Sequence, residues 1–127
     1  MAKETLKKNG GFNFFKNFSY ALQGLAEVVK NETSFRVEIV VFLIFQAGVF
    51  IAPLSFIHTA LMSTSLFIPI VAELGNSAVE RTVDLVTQDY HDLAKKAKDA
   101  ASAMVFMSIV LTTVIWIWVL ADIVINS

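Results

Sequence analysis

Cysteine is absent from this chain of 127 residues, which removes disulfides, thiolate metal sites and a cysteine nucleophile at once. An excess of basic charge is also missing. Ten Lys and Arg residues stand against eleven Asp and Glu, for a net charge of −1, so no basic stripe is available to neutralise a run of phosphates, and nucleic acid is excluded as a partner. No G-x-x-x-x-G-K-[ST], G-x-G-x-x-G or H-E-x-x-H occurs, so any handling of ATP proceeds without a glycine-rich phosphate cradle. The opening MAKETLKKNGGFNFFKNF is charged and lacks the continuous apolar core of a secretory signal, so this segment is expected to be retained. Internal repeats and low-complexity tracts are absent too.

What remains is apolar. Hydrophobic residues make up 56% of the chain and the mean hydropathy is +0.65, too high for an ordinary soluble domain of this size. The length allows one domain, 1–127, and the membrane is its expected environment. From Ile39 to Ala72 there is no formal charge, apart from a neutral-leaning His58. One straight helix over that stretch is roughly 50 Å long, against a hydrocarbon core of about 30 Å. Pro53 offers a break, because it cannot continue the helical ladder and disfavours helix just before it. Two spans are therefore expected, 34–52 and 55–72, joined by a tight turn, and a third uncharged stretch, 100–121, is long enough to cross with modest tilt.

Lys3, Lys7, Lys8, Lys16, Lys30 and Arg36 precede the first span, and Arg81, Lys95, Lys96 and Lys98 lie between the second and third. All the basic residues thus fall on one side, which the positive-inside bias assigns to the cytoplasm together with the N-terminus. Trp116 and Trp118 near the far end of the third span suit interface anchors. Ahead of the first span, Phe15, Phe18, Leu22, Leu25 and Val29 recur at steps of three and four. That spacing predicts an amphipathic helix over 12–31 lying in the interfacial plane, or else a helix packed on a partner protein. The expected fold is therefore all-α and integral to the membrane, with three transmembrane helices behind an interfacial one.

The second span runs into VAELGNSAVERTVD, residues 71–84. In a helix, Glu73, Asn76, Glu80 and Asp84 fall within a stripe about 80° wide. Three carboxylates and an amide on one face can hold a hard cation or supply a base beside one, with Asn76 orienting Glu73. A wet face of a juxtamembrane helix would carry the same pattern, although a charged carboxylate at the hydrocarbon edge is costly. A second cluster, NETSFRVE at 31–38, brings Glu32 to the same level as Glu80, with Glu38 deeper. Arg36 suits either phosphate or a snorkelling position at the membrane edge. A third, DYHDLAKKAKDAAS at 89–102, mixes acids, lysines and an aromatic that suit a nucleotide, or equally a solvated connector.

AELGNSAVERTVD resembles the signature of the small prokaryotic diacylglycerol kinases, E-x-x-N-[ST]-[SA]-[LIV]-E-x-x-[LIV]-D. NETSFRVE is similar to that family's N-E-x-x-F-R-x-E, and YHDLAKKAKDAASA to its Y-H-x-L-x-x-x-A-K-D, in order, within a match from about residue 12 to 121. The resemblance implies an integral-membrane lipid kinase that works as a homotrimer in the inner membrane of a bacterium, with composite sites between subunits. It implies Glu73 as the catalytic base, and Glu32 and Glu80 as ligands of the Mg2+ that accompanies ATP. It associates Tyr20, Glu32, Glu80, Asp89, Tyr90, His91, Lys98 and Asp99 with the nucleotide. Arg36, Glu73, Ser102 and Trp116 fall on positions near the lipid, and Asn76, Asp84 and Glu38 are supporting residues. Two positions depart from the pattern: Gly75 replaces a branched apolar residue, a change that loosens a helix by roughly 1 kcal/mol, and Asn13 stands where some members have an arginine.

Under this reading, Glu73 accepts a lipid hydroxyl proton as the oxygen attacks the γ-phosphorus, and Lys98 offsets phosphate charge. Diacylglycerol is the expected substrate, with undecaprenol as the alternative within the family. A small ion-coupled transporter subunit is the alternative from another class, and a membrane adaptor a third; the acids cluster at one membrane edge and leave the span centres clean, which a transport pathway would not.

Overall fold

Asn13 opens the first helix: its Oδ1 accepts from the Lys16 N–H at 3.0 Å, capping α1 (Phe14–Asn31). The computed structural model describes residues 11–127, so Lys3, Lys7 and Lys8, used above for orientation, lie outside the described residues. Along α1 the large apolar side chains Phe15, Phe18, Leu22 and Leu25 stay exposed and only Val28 is buried. One chain therefore leaves that stripe for the bilayer surface or another molecule to cover. Glu32 turns the backbone through an extended conformation into α2 (Thr33–Ile51), a helix of about 28 Å at 1.5 Å per residue. Ala52, next to Pro53, is extended and ends it.

Ser55 starts the return, its Oγ accepting from the His58 N–H at 3.2 Å at the head of α3 (Phe56–Ser65). Within the span expected over 55–72, a one-residue turn at Leu66 separates α3 from α4 (Phe67–Val86). Pro69 supplies the cause, since a proline in a helix lacks an N–H and its ring crowds the carbonyl four residues back. A short connector leads to α5 (Asp92–Ile125), capped by His91, whose Nδ1 accepts from the Leu93 N–H at 3.2 Å. This helix begins well before the uncharged stretch. Ion pairs Lys96–Asp92 at 2.7 Å and Lys95–Asp99 at 2.5 Å, each one turn apart, support its first turns outside the hydrocarbon.

Three helical segments, Thr33–Ile51, Phe56–Val86 and Asp92–Ile125, are long and apolar enough to cross a membrane, and no strand occurs among the described residues. The architecture is thus the all-α membrane fold expected. Segments of 31 and 34 residues exceed a core of about 30 Å, so their ends carry side chains into water. Among the described residues, the packing between α4 and α5 is the most extensive between any two helices. Gly75 contributes to it: a Cβ there would lie 2.9 Å from Met104 Cε, so the missing side chain leaves room that Met104 of α5 fills. Elsewhere Phe35 is fully buried, and Val49, Met62 and Val119 form a small core at the end opposite Glu73. Many large apolar groups, among them Leu43, Ile44, Phe50, Phe106 and Trp118, face outward, as lipid-facing side chains do.

Candidate active site

The acidic stripe rides on the outer turns of α4. Glu73 is half-buried, with Ser34, Glu32 and Glu80 as its polar neighbours. One turn on, Asn76 is buried and its Nδ2 donates to Glu80 Oε1 at 3.2 Å, while its Oδ1 has no partner among the described residues. A buried acceptor left open beside two carboxylates is a costly arrangement for packing alone. Ser77 is buried as well, and its Oγ donates to Glu32 Oε2 at 2.5 Å, which ties α4 to the α1–α2 junction.

Arg81 makes the other half of that tie. Its Nη2 donates to Glu32 Oε1 at 2.7 Å, and its Nη1 pairs with Glu27 on α1. Glu27 also accepts from Asn31 Nδ2 at 2.6 Å. The Arg81 guanidinium, and after it the Asn31 amide, hold the Glu27 carboxyl below the usual carboxylate range. Arg36 spends its donors on the same junction: Nη1 reaches Lys30 O at 2.8 Å and Nη2 reaches Thr33 Oγ1 at 2.9 Å. It satisfies a carbonyl at the end of α1, where a cation also complements the helix dipole.

The connector between α4 and α5 encloses a second feature, a cleft of about 400 Å³. Asp89, Tyr90, His91, Lys98 and Asp99 all line it, together with Asp84, which accepts from Lys98 Nζ at 2.6 Å. Tyr20 lies apart, exposed on α1 beneath Lys16 Nζ, and is not in that lining. A third feature is an apolar cavity of about 470 Å³ between α2, α4 and α5, lined by Val41, Phe45, Ile70 and Trp116 among others. Ser34 and Glu38 form its polar end, and both neighbour Glu73. Trp116 is turned inward, with its ring 5.4 Å from that of Phe45 and its Nε1 donating to Ser65 Oγ at 3.0 Å, instead of anchoring at the far interface. Ser102 is exposed on α5 and outside this lining.

No group of three or more His, Asp or Glu among the described residues is arranged to hold a metal ion. Two carboxylates, Glu32 and Glu80, flank Glu73. Mg2+ that travels with a nucleotide takes one or two protein carboxylates and completes its shell with phosphates and water. Glu80 fits that habit, whereas Glu32, whose two oxygens are held by Arg81 and Ser77, would exchange one of them for the ion. Nothing local marks Ser77, or Arg81 beyond its charge, because their partners lie 45 to 54 residues away.

Comparison with known proteins adds a family. The profile described as prokaryotic diacylglycerol kinase matches residues 19–120. A diacylglycerol kinase of Haemophilus influenzae is 36% identical over 110 residues, covering 87% of this chain and 93% of that protein. One from Helicobacter pylori is 35% identical over 112 residues (87% and 86%). One from Escherichia coli K12 is 31% identical over 107 residues (84% and 88%).

Proposed function

Because the chain belongs to the prokaryotic diacylglycerol kinase family and is a multi-pass membrane lipid kinase, we propose that it transfers the γ-phosphoryl group of ATP to diacylglycerol, forming phosphatidic acid at the cytoplasmic face of a bacterial inner membrane. The observation that carries this reading is the position of Glu73. Ser34 and Glu38, which form the polar end of an apolar cavity, neighbour it, and so do the carboxylates Glu32 and Glu80. A base that must meet a lipid hydroxyl and a water-borne phosphate belongs at such a boundary.

The acyl chains lie along the apolar cavity, and the headgroup hydroxyl meets Glu73 near Ser34 and Glu38. Glu73 takes the hydroxyl proton as the oxygen attacks the γ-phosphorus and the bond to the β-phosphate oxygen breaks, so ADP leaves. The nucleotide occupies the α4–α5 cleft, with Tyr90 against the base and Lys98 exchanging Asp84 for phosphate oxygens. Glu32 and Glu80 hold Mg2+, which when bound offsets phosphate charge. Asn76 fixes Glu80 through its amide, Arg36 and Ser102 border the lipid headgroup, and Tyr20 approaches the nucleotide from α1. We further propose a homotrimer, which supplies a cover for the outward apolar helices and can bring Tyr20 of one copy to the cleft of another.

The test is phosphorylation by the purified protein in mixed micelles, with diacylglycerol and undecaprenol compared side by side. Phosphatidic acid made with magnesium and ATP, well ahead of undecaprenyl phosphate, is the expected result. Preference for undecaprenol overturns the substrate, and no lipid product overturns the kinase reading. Orientation is checked with a reporter fused after Ser127, which should be active only in its extracytoplasmic form.

A further inference from the structure

The division between α3 and α4 has a chemistry of its own. In a continuous helix the N–H of residue 69 would donate to the carbonyl of Ser65, four residues back. Pro69 has no N–H, so that carbonyl loses its partner. Ser65 is buried within a membrane-spanning segment, where no water is at hand to replace the lost bond. The donor comes instead from α5: Thr112 Oγ1 reaches Ser65 O at 3.0 Å, while also contacting Ser108 O in its own helix at 3.1 Å. From α2, Gln46 Nε2 donates to Ser63 O at 3.0 Å, and Gln46 Oε1 accepts from Ser63 Oγ at 2.8 Å. The break is thus clamped by side chains from both neighbouring spans.

We propose that Thr112 is a positioning residue for Glu73, its hydroxyl replacing the backbone bond that Pro69 removes and thereby fixing the direction in which α4 leaves the kink. This rests on Glu73 being the base. Glu73 lies two turns beyond Ser65, about 12 Å along the helix. At that lever arm a swing of about 10° at the kink displaces its carboxylate by about 2 Å, and a misplacement of about 1 Å can cost about 100-fold in rate. Thr112 lies in the membrane on the wall of the apolar cavity, where valine keeps its shape, and has no part in proton or phosphoryl transfer.

The experiment is a double-mutant cycle on the full-length protein in micelles, reading kcat, the KM for magnesium-ATP, the KM for lipid, and the unfolding midpoint. Thr112→Val keeps the shape and removes the donor. Its kcat should fall about 10- to 100-fold while both KM values stay within about twofold. Thr112→Ser restores the hydroxyl and should recover kcat to within about threefold of wild type. Pro69→Ala lowers kcat by itself, since it straightens the helix, but gives residue 69 an N–H for the Ser65 carbonyl. In that background Thr112→Val should therefore cost less than about twofold further, whatever the rate from which it starts. Equal losses from Thr112→Val in both backgrounds overturn the inference, as does a lowered unfolding midpoint with kcat unchanged, or a change confined to the lipid KM. If wild type phosphorylates no lipid, the reading of Glu73 fails first; an active wild type with an additive cycle sinks this inference alone.

Discussion

The two ends of the helical bundle solve opposite problems. At the His58 end, Val49, Met62 and Val119 pack together with Leu54 and Ile123 around them. Polar groups there meet one another: His58 Nε2 lies 2.9 Å from Asp122 Oδ2, and Asn126 Nδ2 donates to Asp122 Oδ1 at 2.8 Å. At the Glu73 end carboxylates outnumber their partners. Arg81 serves both Glu27 and Glu32, whereas Glu38, Glu73 and Glu80 have no ion-pair partner among the described residues. Asn76 adds a buried acceptor with no donor among the described residues. One end is closed by packing and local pairing. The other keeps negative charge and bonding capacity in reserve, which destabilises a fold unless a ligand takes it up. The contrast matches the proposal that stability rests on the first and chemistry on the second.

Substitutions that separate activity from stability can break this contrast. The largest effect is expected at Glu73. Glu73→Gln keeps the size and an acceptor but cannot take a proton, and loss of a general base costs on the order of 10²–10⁴ in rate. Glu73→Asp should recover little, because the shorter arm withdraws the base from a fixed hydroxyl; steady-state phosphorylation in mixed micelles measures both. Next come Glu32→Gln and Glu80→Gln, each of which removes the charge of one proposed ligand. Apparent affinity for magnesium-ATP should fall about 10- to 100-fold in titrations of the rate; unchanged metal and nucleotide dependence in both variants would remove them from the site.

At the opposite end, Met62→Ala leaves a cavity, but lipid is as apolar as the core, so the transfer contribution largely drops out. A loss of roughly 1–2 kcal/mol in unfolding, with kcat within twofold, is expected. A lowered kcat would blur the division of labour between the ends. The smallest effect concerns pH. The Glu27 carboxyl is held below its usual range by Arg81 and then Asn31. A depressed value means the tie between α1 and α4 is fully present above the ordinary carboxylate range and is lost as pH falls through the lowered value. Accessibility of a fluorescent label on α1 should therefore be flat from about pH 8 to 5 and rise only below about 4. Glu27→Gln should flatten that rise; a transition near neutral pH would contradict the assignment.

Much of the fold was legible because charge is excluded from hydrocarbon: a long run without Asp, Glu, Lys or Arg marks a span whatever its partners. Pro53 marked the turn for an equally local reason. The acidic stripe was legible from helical spacing, since α4 runs unbroken from Phe67 to Val86. The details that depend on distant partners carried no local signal. Arg81 reads as another positive-inside residue until Glu27 and Glu32 are brought to it. Trp116 reads as an interface anchor until Ser65 offers an acceptor. Gly75 reads as a weakness until Met104 fills the space beside it. Pro69 sits amid apolar residues like an ordinary part of the span, and its consequence appears only with Thr112 across the bundle.

The central claim, that the Glu73 end holds the base and the rest of that end holds the nucleotide, is tested most directly by a single-turnover experiment. Glu73→Gln is loaded with magnesium-ATP, its bound nucleotide is quantified, and diacylglycerol is added by rapid mixing with acid quench. Nucleotide occupancy should stay close to wild type, with phosphatidic acid formation slowed on the order of 10²-fold or more. Phosphatidic acid appearing at more than about a tenth of the wild-type rate, with nucleotide bound normally, would contradict it.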